Sequence, residues 1–176
     1  MPNELRITLI VVGSIIGVWL LLLIVNLIFV GSYSTIFKKH RKAMVVILYT
    51  KLENIKRLFS IIRQSGVDVD NRLIVLLNDI HEEDFEDPAS QACEKSRNAL
   101  SYLKDEIIFA TSSNEDLKND TDFIQAKNNI NEADQIYRNN VIMYNADVLG
   151  YNYWIRFLPC RFVFKIFRVK EKQIIS

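Results

Sequence analysis

The chain has 176 residues, and its 22 lysines and arginines nearly balance its 21 aspartates and glutamates. A net charge of +1 gives no reason to expect a nucleic-acid partner. Five glycines and three prolines are too few for a many-turned β fold and favour long helices.

The first predicted element is a membrane-spanning helix over residues 7–30, after a short tail at residues 1–6. No Asp, Glu, Lys or Arg occurs from residue 7 to residue 37. A helix of ~24 residues at ~1.5 Å each covers the ~30 Å hydrocarbon core of a bilayer. The apolar run is too long for a signal peptide, whose apolar region covers ~7 to 15 residues, so we expect an uncleaved anchor.

The flanking charges predict the orientation of this anchor. Lys38, Lys39, Arg41 and Lys42 follow the span, whereas only Arg6 precedes it, partly offset by Glu4. Because positive charge is retained in the cytoplasm, we expect the N-terminus outside and the rest of the chain inside. Within the span, Gly13 and Gly17 form a GxxxG pattern that is a candidate for self-association.

The next helices are predicted from apolar residues at spacings of three and four. The first stripe continues the anchor as one nearly continuous rod that ends near Gly66. It consists of Met44, Leu48, Leu52, Ile55, Phe59 and Ile62. Leu73, Leu76, Leu77 and Ile80 predict a shorter helix. Asp87 before Pro88 predicts the start of a third helix, which carries Cys93, Ser96, Leu100, Leu103 and Ile107.

A break at residues 111–114, with Ser113 and Asp116 as a capping pair, precedes the last long helix. A seven-residue repeat then predicts coiled-coil-like packing of this helix against its neighbours. The repeat consists of Phe123, Ile130, Tyr137, Tyr144, Tyr151 and Leu158, flanked by Val141, Val148 and Ile155. We therefore expect an all-α fold, with the transmembrane helix followed by an antiparallel three- to four-helix bundle over residues 31–159.

One segment of this last helix resembles the C-terminal signature of the LemA family, YN-x-x-V-x-x-YN followed by an apolar residue and a proline. The matching residues are Tyr144, Asn145, Val148, Tyr151, Asn152, Ile155 and Pro159. The resemblance implies a divergent member of a family of bacterial membrane proteins with an external N-terminus and a cytoplasmic helical bundle, for which no catalytic activity is established. The same residues form either a polar core layer that fixes helix register or an interaction face.

The basic and aromatic tail at residues 160–176 leaves two alternatives open. Its side chains contact the membrane surface beside Lys38, Lys39, Arg41 and Lys42, or its apolar side closes the bundle. The tail residues concerned are Arg161, Phe162, Phe164, Lys165, Phe167 and Arg168.

No pattern for catalysis, metal binding or cofactor binding is found. Cys93 and Cys160 form no CxxC pair, the acidic stretch at residues 79–87 lacks the spacing of a calcium loop, and His40 and His81 are the only histidines. We therefore expect a non-enzymatic protein-interaction or scaffold module without a cofactor or a small-molecule substrate. Its expected partners are membrane lipid, a second copy of itself or another membrane protein. The alternative is an accessory subunit of a membrane enzyme or envelope-stress system.

Overall fold

The computed structural model describes residues 2–157, 161–166 and 168–175, and this part of the chain contains helices and no strand. The predicted all-α class is confirmed. The helices are α1 (Asn3–Gln64), α2 (Asn71–Asn78), a 3₁₀ helix (Glu82–Phe85), α3 (Gln91–Ala110), α4 (Glu115–Asn119), α5 (Thr121–Arg156) and α6 (Arg161–Ile166).

The chain forms two compact units. Unit 1 consists of Met1–Lys38 and Asn145–Ile174, and unit 2 consists of Lys39–Tyr144 and Ile175–Ser176. The long helices α1 and α5 contribute residues to both units, α2, α3 and α4 belong to unit 2, and α6 belongs to unit 1.

The prediction that the apolar run continues into the first soluble stripe is confirmed, because α1 is a single helix of 62 residues. The helix ends just before Gly66, whose φ of +73° is in the left-handed region that glycine adopts without a Cβ clash. The Gly66 N–H donates to the Arg63 carbonyl and thereby satisfies one of the carbonyls left unpaired at the helix end.

Unit 2 is a bundle in which successive elements run in alternating directions. α1 and α5 are antiparallel, since Lys51 pairs with Asp134 and Arg57 with Asp122. α3 is antiparallel to α5, since Arg97 donates to Tyr137 and Lys104 to Asp134.

The chain between α1 and α3 returns along α1 through α2 and the 3₁₀ helix. The Phe85 ring packs edge-on against Tyr49 with the ring centroids 5.8 Å apart, and Asp87 pairs with Arg41. The order is therefore up, down, up, down, which is the antiparallel bundle that the sequence predicts.

Most residues of the predicted stripes lie in the core of unit 2, but in α1 the buried residue is Leu58 and the predicted Phe59 is half-exposed. The buried apolar side chains of this core come from α1 (Met44, Leu48, Leu52, Ile55, Leu58 and Ile62), α3 (Cys93, Leu100, Leu103 and Ile107) and α5 (Phe123, Ile130, Tyr137 and Tyr144). Burying each large apolar side chain stabilises the fold by roughly 1.5–3 kcal/mol. The seven-residue repeat of α5 therefore reports packing.

Two helix starts differ from their predictions. α3 begins at Gln91 instead of Pro88, because the Ser90 hydroxyl caps the helix by accepting a hydrogen bond from the Cys93 N–H. After the break at residues 111–114, Asn114 takes the capping role predicted for Ser113 and accepts from the Leu117 N–H. The short helix α4 follows this cap, and α5 begins only after Asp120.

Candidate functional site

The N-terminal part of α1 is apolar and is not buried against any other described part of the chain. From Pro2 to Val25 every side chain is exposed or half-exposed, and Asn26 is the first buried residue. By length and composition α1 is the one described helix that is long and apolar enough to cross a membrane. Gly13 and Gly17 lie in this stretch, and nothing within the described chain comes within 4 Å of a Cβ built at either position.

Asn26 marks the point where other parts of unit 1 begin to cover α1. Its side chain is 1 % exposed, and its amide nitrogen donates to the main-chain carbonyl of Trp154 over 3.2 Å. That carbonyl lies in the last turn of α5, where carbonyls lack partners within the helix. The Asn26 Oδ1 atom has no hydrogen-bond partner among the described residues.

Aromatic rings cluster beside Asn26 in unit 1. The Trp154 ring stacks on Phe29 with centroids 4.6 Å apart and an interplanar angle of 4°. Tyr153 and Phe157 pack edge-on or tilted against the same group, with centroids 5.7–6.2 Å apart. Trp and Tyr concentrate where a helix passes from hydrocarbon into the headgroup region, so this aromatic cluster has the composition of a membrane interface.

The residues of the Tyr-Asn segment have two structural roles: the tyrosines pack in the core, and Asn152 binds the C-terminal tail. Tyr144 is buried in unit 2, and Tyr151, Val148 and Ile155 are buried in unit 1. Burial raises the pKa of Tyr144 above its ordinary value, although the nearby Arg41 partly opposes this effect. These burials favour the core-layer alternative for the tyrosines, while Asn145 is half-exposed.

Asn152 holds the C-terminal tail against α5. Its Nδ2 atom donates to the Lys172 carbonyl, and its Oδ1 atom accepts from the Lys172 N–H, both at 3.0 Å. One turn along, the Arg156 guanidinium forms a two-bond ion pair with Glu171, with Nε to Oε1 at 2.7 Å. The second asparagine of the motif therefore acts on the tail instead of lying in a polar core layer.

Gly150 allows a close approach within unit 1. A Cβ at position 150 would lie 2.6 Å from the hydroxyl oxygen of Tyr33 and 3.0 Å from the ring carbon that carries it. Any side chain there would therefore have to displace the tyrosine, which explains the glycine in this position of α5.

The C-terminal helix α6 has one buried side and one exposed side, and the residues predicted for membrane contact lie on both. Phe164 is 3 % exposed and packs inside unit 1, whereas Phe162 is 69 % and Ile166 is 77 % exposed. Arg161, Lys165 and Arg168 are exposed. One side of α6 is thus packed within unit 1 and the other is open. Pro159 and Phe167 lie outside the described residues.

The basic cluster after the apolar run is on the surface. Lys38, Lys39, Arg41 and Lys42 are all exposed. Arg41 also pairs with Asp87 over 2.9 Å. Exposed cations that follow an apolar stretch of helix suit contact with anionic headgroups.

In the acidic stretch, the Asp84 side chain caps the start of the 3₁₀ helix and also bonds to α3. The Asp84 carboxylate accepts from the Ser96 hydroxyl at 2.7 Å and from the His81 N–H at 3.1 Å. The Ser96 hydrogen bond is the main reason that the pKa of Asp84 lies below its ordinary value. In the described ranges, no group of three or more His, Cys, Asp or Glu side chains could hold a metal ion.

Cys93 behaves as a packing residue. The side chain is buried in unit 2 and forms no disulfide. Burial raises the pKa of its thiol to about 11, so the reactive thiolate is scarce at neutral pH.

A buried cluster of charged residues in unit 2 was not predicted from the sequence. Asp134 accepts from two lysines: Lys51 Nζ lies 2.6 Å from Oδ1, and Lys104 Nζ lies 2.9 Å from Oδ2. The Lys51 side chain is only 3 % exposed and also donates to the Ser101 hydroxyl. Spacing alone could not identify the cluster, because its members come from three helices that are far apart in sequence.

Burial determines the protonation behaviour of this cluster. It lowers the pKa of Lys51, and the hydrogen bond and charge of Asp134 offset this only in part. Burial alone would raise the pKa of Asp134, but the two ammonium groups bonded to it keep the pKa below its ordinary value. Two cations therefore share one carboxylate, with Lys51 almost fully buried and with Lys104 and Asp134 partly exposed.

The cluster lies in a cavity of about 550 Å³ between α1, α3 and α5 of unit 2. Arg97 and Tyr137 also line it, with the guanidinium carbon 5.6 Å from the centre of the tyrosine ring.

No protein-family model, no curated protein and no solved structure matches this chain.

Proposed function

We propose that this chain is a non-enzymatic, single-pass membrane protein that holds a helical interaction or scaffold module at the cytoplasmic surface of a bacterial membrane. The observation that carries this proposal is the unburied apolar stretch of α1 from Ile7 to Val25. Exposing so much contiguous apolar surface to water is unfavourable, whereas a bilayer would solvate it.

The length of this stretch supports the proposal. From Ile7 to Val25 the helix rises by ~28 Å, at ~1.5 Å for each residue, close to the ~30 Å hydrocarbon core. The stretch ends at Asn26, where the aromatic cluster around Trp154 begins. In this proposal the lipid-facing segment is residues 7–25, which lie within the span predicted over residues 7–30.

The helix α6 gives independent support for contact with the membrane surface. Phe162 and Ile166 are four positions apart and lie on one exposed side of the helix, flanked by Arg161 and Lys165. Such a combination suits a short helix lying in the interface of an anionic membrane. The exposed cations after the span favour the cytoplasmic side.

Two features support the interaction role and the LemA type. Val46, Ile142 and Met143 are large apolar side chains exposed on unit 2, which suits contact with another protein or a second copy. The Tyr-Asn segment of α5 supports the LemA type.

Cysteine labelling in intact bacterial cells tests anchoring and orientation. In a Cys93→Ser/Cys160→Ser background, a single cysteine replaces either Asn3 or Asp116, both exposed. We expect a membrane-impermeant maleimide to label Asn3→Cys directly and Asp116→Cys only after permeabilisation. Release of the protein by alkaline carbonate, or the reverse labelling pattern, would contradict the proposal.

Fluorescence quenching by brominated lipids tests the depth. The chain has two tryptophans, so Trp19→Phe leaves only Trp154 and Trp154→Phe leaves only Trp19. We expect bromine near the headgroups to quench Trp154 most strongly and bromine deep in the acyl chains to quench Trp19. Equal quenching of Trp154 at all depths, or none, would remove the interfacial assignment of the aromatic cluster.

Photo-crosslinking in native membranes tests the interaction role, with the crosslinking amino acid at Met143 and a control at the exposed Lys56. We expect a defined protein adduct at position 143 and none at position 56. Lipid adducts or no adduct at both positions would contradict a role in protein interaction. An adduct with a membrane enzyme would favour the accessory-subunit alternative.

A further inference from the structure

The cavity in unit 2 is lined by more positive than negative charge. Its charged lining residues are Lys51, Arg97, Lys104 and Arg138 against Asp105 and Asp134, which leaves a surplus of two positive charges. Such a surplus inside a helical bundle favours any anion that can reach it.

The arrangement around Asp134 shows why this surplus lies inside the cavity. Both carboxylate oxygens of Asp134 are occupied, one by Lys51 and one by Lys104. Each ammonium group has three protons to donate, and the carboxylate is a shared acceptor for both groups. The other acid of the lining, Asp105, approaches Lys104 only to 4.0 Å. An added oxyanion would supply acceptors that the protein itself provides sparsely.

Apart from the charged residues and Ser101, the walls of the cavity are mainly apolar. Ile47 and Leu48 of α1 and Val141 and Ile142 of α5 line it, and the Tyr137 ring adds an aromatic surface. Concave sites with apolar walls and a few charged groups are typical of small-molecule binding, and about 550 Å³ lies within the usual range of volumes for such sites.

From this juxtaposition we propose that the cavity between α1, α3 and α5 binds a small organic anion. The ligand has a phosphate or carboxylate group that lies against Lys51 and Lys104, and an apolar part that lies against Ile47, Ile142 and Tyr137. The anionic group belongs either to a soluble metabolite or to a lipid headgroup, and the experiment below separates these sources. This proposal does not depend on the proposed membrane-anchored scaffold role.

Methyl NMR on the full chain in nanodiscs of zwitterionic lipid tests the proposal, with isoleucine δ1 methyls labelled. The probes are phenyl phosphate, which has both parts of the ligand, inorganic phosphate, which has only the anion, and benzamide, which is neutral. We expect saturable shifts of the Ile47 and Ile142 signals with phenyl phosphate, at least about tenfold weaker binding of inorganic phosphate, and no saturation with benzamide. The Ile124 signal is the internal control, since this exposed residue does not line the cavity.

Two variants assign the binding to the cationic groups. Lys104→Gln removes one of the shared ammonium groups, and Arg138→Gln removes an exposed guanidinium at the edge of the cavity without touching the buried pair. We expect phenyl phosphate to bind at least about tenfold more weakly to Lys104→Gln and several-fold more weakly to Arg138→Gln. The matched control is Lys56→Gln, an exposed lysine on α1 outside the cavity, which should bind normally.

The outcomes are distinct. Shifts of Ile47 and Ile142 in nanodiscs with anionic lipid and no added probe would identify a headgroup as the source of the anion. Saturation by phenyl phosphate in zwitterionic nanodiscs alone would indicate a soluble ligand. The proposal is wrong if neither condition shifts these two signals, or if Arg138→Gln and a folded Lys104→Gln both bind phenyl phosphate as tightly as the unaltered chain.

Discussion

The side-chain amide of Asn26 donates to the main-chain carbonyl of Trp154. A polar residue of the apolar run thus supplies a hydrogen-bond donor to the C-terminal end of α5 in unit 1. The same carbonyl also accepts from the Phe157 N–H at 3.3 Å. It therefore keeps one partner if the side chain at position 26 changes.

Asn26→Leu should cost little stability and Asn26→Asp should cost much more. Leucine has nearly the same size and removes both the donor and the unsatisfied Oδ1 atom, so we expect a loss below about 1 kcal/mol. Aspartate places a carboxylate beside a carbonyl in a buried position, so we expect a loss of at least about 2 kcal/mol. Thermal unfolding of the full chain in detergent measures both changes. Equal losses for the two variants would contradict the assigned hydrogen bond.

Asp134→Asn should be strongly destabilising because it leaves Lys51 and Lys104 without their shared carboxylate. Breaking a buried ion pair by removing one partner costs about 3–5 kcal/mol, and the low end applies here because Lys104 and Asp134 keep some exposure. At roughly 2–4 °C for each kcal/mol, we expect the Tm to fall by about 6–12 °C.

Two controls test whether this loss comes from the unpaired lysines. Asp122→Asn breaks the exposed pair with Arg57 and should cost less than about 1 kcal/mol. Adding Lys51→Met to Asp134→Asn removes one uncompensated buried charge and should restore part of the loss. A double variant that is less stable than Asp134→Asn would contradict this explanation.

Stability should depend on pH at both ends of the range. The pKa of Asp134 lies below its ordinary value of 3.8, so its contribution is present above that value and is lost as the pH falls through 3.8 toward the folded-state pKa. The pKa of Lys51 lies below 10.5, so the unfolded chain binds more protons between the two values and stability rises with pH in that interval. Tm measured against pH should show both slopes, and Lys51→Met/Asp134→Asn should flatten them. Unchanged slopes in the double variant would assign them to other groups.

Asn152→Ala should release the C-terminal tail without unfolding the bundle. The variant loses both hydrogen bonds to Lys172, worth ~1 kcal/mol each at most in this exposed position. We expect trypsin to cut after Lys170 and Lys172 roughly tenfold faster, because local opening becomes more frequent. Asn139→Ala, at an exposed position in unit 2, is the control and should be cut at the original rate. An unchanged rate in Asn152→Ala would show that Arg156 and Glu171 hold the tail by themselves.

Periodicity was sufficient to predict the helices and much of the core. Leu52, Leu103 and Tyr137 are buried as their spacing predicts, because a helical stripe that faces a neighbour must be apolar whichever neighbour it meets. The start of α3 was less predictable. Asp87 before Pro88 and Ser90 before Gln91 are both suitable caps, and the choice of Ser90 depends on the turn that precedes the helix.

The charged cluster could not be predicted in the same way. Lys51 is not part of the predicted stripe but directly precedes its member Leu52. It is buried, although a lysine in that position usually extends into water. Its burial depends on Asp134 and Ser101, which lie on other helices and approach it only in the folded bundle. Likewise, the motif suggested a role for Asn152 in helix packing, and its bonds to Lys172 depend on where the tail returns.

The close approach of Gly150 and Tyr33 makes the permitted side-chain sizes at these two positions depend on each other, although the positions are far apart in the sequence. A Cβ at 150 would collide with the phenolic end of residue 33, so one position constrains the other. Among relatives of this chain, alanine or serine at position 150 should therefore occur together with a smaller residue at position 33, and tyrosine at 33 should occur together with glycine at 150. Correlated change at these two positions would give an evolutionary record of the contact between α1 and α5 in unit 1.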